Sequence, residues 1–196
     1  MTPALALAAV LLAADPAVAP TGAAPPAAAA TTGAAAASDA ARDRVEALLG
    51  TIDTRLPPAV WKGLGPEAAP VLAALARDEA RMPSARARAV SALAVLDPAE
   101  GERLARDLVE AAGAPPTVRQ AAVRALGHLL APAALVSAIG PVLRGGEGLG
   151  LRAAAAETLA RRAPALACPD VLDQARREAA PDRPALERAV ALCAGR

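Results

Sequence analysis

Histidine occurs once in this chain, at position 128, cysteine twice, at 168 and 193, and Phe and Tyr are absent. Catalytic chemistry is built from groups in company. A metal site takes three or four converging ligands, and a hydrolytic triad takes a nucleophile, a base and an orienting carboxylate. His128 has no second histidine to share either task, and it follows Gly127 near a helix end, where a surface or packing role is expected. The run Gly145-Gly146-Glu147-Gly148-Leu149-Gly150 is rich in glycine but lacks the preceding strand and the lysine of a phosphate-binding loop. It reads as a flexible connection between two helices. No catalytic, cofactor-binding or metal-ligating residue is expected, and the chain reads as a non-enzyme.

What does recur is arginine. Arg86, Arg119 and Arg152 are each 33 residues apart, and so are Leu93, Leu126 and Leu159, with Leu192 one step further. Ala89, Ala122 and Ala155 share the spacing. Three segments align without gaps: ARARAVSALAVL from Ala85, VRQAAVRALGHL from Val118 and LRAAAAETLARR from Leu151. A fixed period of this length marks a solenoid or array of repeats.

The elements that carry these columns are helical by pattern. Residues 85, 89, 90, 93 and 96 fall on one arc of a helix, and Val118, Ala122, Val123, Leu126 and Leu129 repeat that arc in the next unit. Ser84 and Thr117 are the expected N-caps, with Pro83 and Pro116 breaking the chain before them. A second set of helices lies between: residues 66–79 with Val71, Leu72 and Leu75, 98–112 with Leu104, Leu108 and Val109, 132–144 with Leu135, Ile139, Val142 and Leu143, and 169–179 with Val171, Leu172 and Ala175. Gly140-Pro141 is expected to kink the third of these. The fold class that follows is all-α, an α-solenoid of about four stacked helix pairs with a 33-residue period. No pair buries its apolar stripe alone, so stacking neighbours build the core. Before the repeats, residues 39–50 read as a short helix with Val45, Leu48 and Leu49 inward and Gly50 as its stop. Residues 52–64 form a degenerate helix broken by Pro57-Pro58. Its Trp61 either covers the open end of the stack or stands exposed as an anchor for a partner.

VRQAAVRALGHL and LRAAAAETLARR resemble the second helix of HEAT repeats, in particular HEAT-like repeats of the phycobilisome-lyase type. The resemblance covers roughly residues 52–194. In that family an Arg near the start of the second helix pairs with an Asp from the preceding turn, forming a ladder between repeats. Arg86, Arg119 and Arg152 match the Arg. Six residues earlier this chain has Ala80, Gly113 and Gly146 instead of Asp, a departure from the family's pattern. The three arginines lie at the border of the buried arc, which favours inter-repeat hydrogen bonding over anion capture. The resemblance also implies that the second helices line a concave side. Ser91, Gln120, Arg124, His128, Glu157 and Arg161 would then form a candidate partner face, the alternative being an ordinary solvated surface.

Position in the last pair gives the cysteines meaning. Cys168 stands where its first helix begins and Cys193 where its second ends, and those ends are neighbours in an antiparallel hairpin. A disulfide between them is expected, with two buried free thiols as the alternative. It would staple the terminal pair and requires an oxidising compartment.

Residues 1–19 read as a signal peptide-like leader: an apolar run from Ala4 to Ala14, too short to span a bilayer, then Ala17-Val18-Ala19 as a small-x-small cleavage site. An uncleaved disordered leader is the alternative. Residues 20–38 form an uncharged Pro/Ala-rich spacer expected to be disordered, and residues 39–196 form the HEAT-like repeat domain. Basic and acidic residues number 21 and 20, which supplies no basic excess for a nucleic-acid partner. The expected product is a non-enzymatic scaffold for protein–protein interaction, periplasmic or secreted, with a protein partner, no nucleic acid and no membrane span in the mature chain. A HEAT-like enzyme or chaperone such as a bilin lyase, or a structural helical protein without a dedicated ligand, are the competing readings.

Overall fold

The structure, a computed structural model, describes residues 27–51, 56–145 and 148–195, with side chains from residue 39 onward. The leader over 1–19, the first part of the spacer and Gly146-Glu147 lie outside the described residues. Ten α-helices follow in order: α1 (Ala27–Gly50), α2 (Pro58–Lys62), α3 (Ala68–Arg77), α4 (Pro83–Leu96), α5 (Pro98–Glu110), α6 (Pro116–Leu129), α7 (Pro132–Arg144), α8 (Leu149–Arg162), α9 (Pro164–Arg177) and α10 (Glu187–Ala194), with a 3-10 turn at Arg183–Leu186 before the last. No strand occurs among the described residues. No helix among them is long and apolar enough to cross a membrane.

The chain is an α-solenoid-like stack of four helix pairs: α3/α4, α5/α6, α7/α8 and α9/α10. The second helices form one layer, α4 against α6, α6 against α8 and α8 against α10. The first helices form the other, where α3 meets α5 and α7 meets α9 but α5 and α7 hardly touch. Leu93, Leu126 and Leu159 lie buried in one inner row, with Ala89, Ala122 and Ala155 fully buried beside them. In the facing layer Leu72, Leu104, Leu135, Ile139 and Val171 are buried. Burying such a side chain contributes about 1.5–3 kcal/mol against leaving it in water, which is why the stack holds without aromatic residues. Small alanines bring the second helices close. Glycine goes further: a Cβ on Gly127 would sit 2.4 Å from Thr158 Cγ2 of α8, and one on Gly101 would sit 2.7 Å from Ala94 Cα of α4.

Several expected boundaries move, each for a physical reason. Pro83 and Pro116 occupy the first helical position, so Ser84 and Thr117 fall inside the helix and cap nothing. The cap positions are Met82 and Pro115, without side-chain caps. Proline fits there because its missing N–H has no intrahelical partner to lose. The side-chain cap that does form is on α5, where Asp97 accepts from the Glu100 amide at 3.0 Å. Helix α7 runs unbroken through Pro141. Helix α9 begins at Pro164, with Pro169 inside it, and not at residue 169. The spacer expected to be disordered over 20–38 is helical from Ala27 onward. Once the packed segment carrying Val45 and Leu49 nucleates a helix, propagation through alanine is cheap.

The two ends of the stack differ. Helices α1 and α2 act as a degenerate leading pair, α1 against α3 and α2 against α4. Trp61 is buried there and covers that end, so the exposed-anchor reading of this residue is set aside. Gly65, at φ +86°, makes the turn into α3 in a conformation that glycine adopts without strain. At the other end the register slips. The deepest residues of the closing segment are Leu186 and Ala189, and Leu192, the expected fourth rung, is only half-buried.

Candidate functional site

Arg86 and Arg119 each occupy the fourth position of a second helix and are buried along its edge. Arg86 Nε donates to the Ala76 carbonyl at 3.0 Å, and Arg119 donates to the Val109 carbonyl through Nε at 3.2 Å and Nη2 at 2.7 Å. Those carbonyls lie in the last turns of α3 and α5, which have lost their own helical donors. The guanidinium therefore closes its own hairpin, a role within the pair where an inter-repeat bond was expected. Ala80 and Gly113 stand where the family's aspartate would be, and the guanidinium reaches the carbonyls at the end of the preceding helix instead.

Arg152 holds the same helical position in α8 and has an acid for a partner. The connection from α7 is one residue shorter than its counterparts. Its Nε and Nη2 meet the Glu178 carboxylate at 2.7 and 2.8 Å, and Glu178 sits at the C-terminal end of α9. Arg152 thereby links successive pairs by a side-chain ion pair. Gln174 Nε2 adds a hydrogen bond to Glu178 at 3.0 Å, and Arg183 Nε donates to its backbone carbonyl at 3.1 Å. The hydrogen bond from Arg152 is the main cause that holds the Glu178 carboxyl below its usual range, and the same bond raises the guanidinium. Sequence reasoning missed Glu178 because it sought an acid before the arginine, not 26 residues after it.

The residues of the expected partner face lie on three neighbouring second helices. Ser91, Arg124, His128 and Arg161 are exposed on α4, α6 and α8, and Gln120 and Glu157 are half-buried among them. Gln120 lies against Gly150, where a Cβ would come within 2.9 Å of its Nε2, so α6 and α8 meet on this face. Glu157 accepts from Arg161 of its own helix and lies 3.6 Å from Arg188 Nη1 of α10. Arg188 extends the face into the fourth pair and was not singled out in the sequence, because the register slip removes it from the 33-residue columns.

Cys168 and Cys193 form a disulfide, with Cα atoms 5.5 Å apart, joining α9 to the end of α10. Between α5 and α7 opens a cleft of about 390 Å³ lined by Arg106, Glu110 and Ser137, with Arg119 and Leu126 of α6 beneath. Among the described residues no group of three or more His, Cys, Asp or Glu converges.

No family model, no curated protein and no solved structure matches this chain.

Proposed function

We propose that this chain is a non-enzymatic interaction scaffold of HEAT-like repeat type, exported to the bacterial cell envelope, that binds a protein partner through its second helices. The observation that carries the reading is the continuity of that layer. Residues from α4, α6, α8 and α10 contribute to one surface, with the Gln120–Gly150 and Glu157–Arg188 contacts bridging the helices. A face spread over several rigid elements offers a partner more area than any one helix, and specific protein interfaces bury about 800 Å² per partner.

The disulfide supports the compartment. Such bonds persist in oxidising environments, and this one ties α9 to the end of α10. The test is mass spectrometry of the protein recovered from fractionated cells. The reading expects a mature N-terminus after Ala19, an envelope fraction and a Cys168–Cys193 linkage. A cytoplasmic, full-length, reduced protein contradicts it.

A further inference from the structure

The layer of first helices is not continuous. Helix α3 meets α5 and α7 meets α9, but α5 and α7 hardly touch, and the cleft of about 390 Å³ opens between them. Small-molecule sites span about 300–1,000 Å³, so the cleft has room for a small ligand. It opens beside the first helices, on the layer opposite the surface proposed above for a protein partner, and its occupancy does not depend on that reading.

Its wall combines a donor, several acceptors and an apolar strip. Arg106 and Glu110 are four residues apart on α5 and therefore share a face. Arg106 Nε and Nη2 both meet Glu102 Oε1 at 2.9 Å. That pair holds the guanidinium in place and leaves the N–H groups of Nη1 for a further acceptor. Glu110 stands exposed in the last turn of the same helix. Across the cleft, on α7, Ser137 Oγ donates to the Ala133 carbonyl at 3.2 Å, so its oxygen can only accept from the cleft. The Ser137 backbone carbonyl is a second acceptor. Its helical donor would be the amide of residue 141, and that residue is proline, which has no N–H to give. Val109, Ala138, Pro141 and Val142 supply the apolar strip. Arg119 beneath is bonded to the Val109 carbonyl and serves the hairpin.

We infer that this cleft binds a free aliphatic α-amino acid, with its carboxylate on Arg106, its ammonium on Glu110 and the Ser137 carbonyl, and its side chain against Pro141 and Val142. The balance of charge selects a zwitterion. A simple anion would stand beside Glu110 and a simple cation beside Arg106 and Arg119, and a like charge brought that close is costly. An ammonium carries three donors and no acceptor, which suits the carboxylate of Glu110 together with the two oxygens of Ser137. A guanidinium suits a carboxylate. The strip from Val109 to Val142 offers an incoming side chain apolar contact only.

The test is isothermal titration calorimetry on the full chain with its disulfide intact, with L-leucine as the probe. Saturable binding is expected. N-acetyl-leucine lacks the ammonium and leucinamide lacks the carboxylate, and each is expected to bind about tenfold more weakly, the effect of losing a hydrogen bond between charged groups. Glu110→Gln is expected to weaken leucine by a similar factor while leaving N-acetyl-leucine unchanged, and Arg106→Gln to weaken leucine while leaving leucinamide unchanged. Pro141→Ala returns an amide donor to the Ser137 carbonyl. It is expected to raise the melting temperature and yet weaken leucine about fivefold, a combination that a purely structural role for the proline does not produce. No binding of leucine, equal affinity for the three ligands, or unchanged affinity in Glu110→Gln each overturns the inference. None of these outcomes bears on whether a protein partner docks on the second helices, so the two readings fail separately.

Discussion

Arg119 and the Val109 carbonyl, ten residues apart in sequence, are joined by two hydrogen bonds from one guanidinium, at 3.2 and 2.7 Å. Arg86 repeats the arrangement with Ala76 at the same separation. Each bond ties the end of a first helix to the first turn of the second, so one side chain in each of two units helps to close the hairpin.

Replacing Arg119 with alanine leaves a buried carbonyl without its donor, a loss of about 1–3 kcal/mol, to which the lost packing of the aliphatic stem adds. Arg119→Lys keeps charge and stem but not the fork, and is expected to recover part of the loss. Chemical denaturation of the three proteins side by side checks the order Arg, Lys, Ala.

The Arg152–Glu178 pair makes stability depend on acid in a definite window. Glu178 is held below its usual range in the folded state by the bond from Arg152. Its contribution is fully present above the unfolded carboxylate value, about 4.3, and is lost as pH falls through the lower folded value. Urea midpoints measured from pH 7 to pH 3 are expected to drop more steeply in the parent than in Glu178→Gln, which starts lower and has less to lose.

Reduction of Cys168–Cys193, or the Cys168→Ser, Cys193→Ser variant, is expected to cost about 3 kcal/mol, the loop-closure entropy of a bridge across this separation. The loss should be local first. Hydrogen exchange in α10 should accelerate under reductant while α4 and α6 stay protected, because α10 buries few side chains of its own beyond Ala189.

Gly101→Ala pits propensity against space. Alanine favours the helix by about 1 kcal/mol, but its Cβ would meet the Ala94 backbone at 2.7 Å, which α4 can relieve only by moving. A net destabilisation of about 1–3 kcal/mol is expected. A thermal melt of this variant above that of the parent contradicts the close approach of α4 and α5.

The stack itself was legible because burial writes a period into the sequence. Leu93, Leu126 and Leu159 needed to face one core, and a column at fixed spacing is the trace that leaves. The arginine column was legible as a set of edge positions, but its acceptors were not. A backbone carbonyl such as that of Val109 has no residue signature, and Glu178 lies on the far side of Arg152 from where an acid was sought. Ser84 and Thr117 misled because proline at the first helical position displaces the cap upstream. Leu192 misled because Leu186 and Ala189, not the 33-residue column, set the buried side of the closing helix.

The reading stands or falls on which layer meets a partner. Photo-cross-linking in cells, with a benzophenone side chain placed in turn at Gln120 and His128 on α6 and at Asp107 and Glu110 on α5, tests this directly. The account predicts a discrete adduct from the α6 positions and none from the α5 positions. Adducts from α5 alone, or from neither helix, would contradict it.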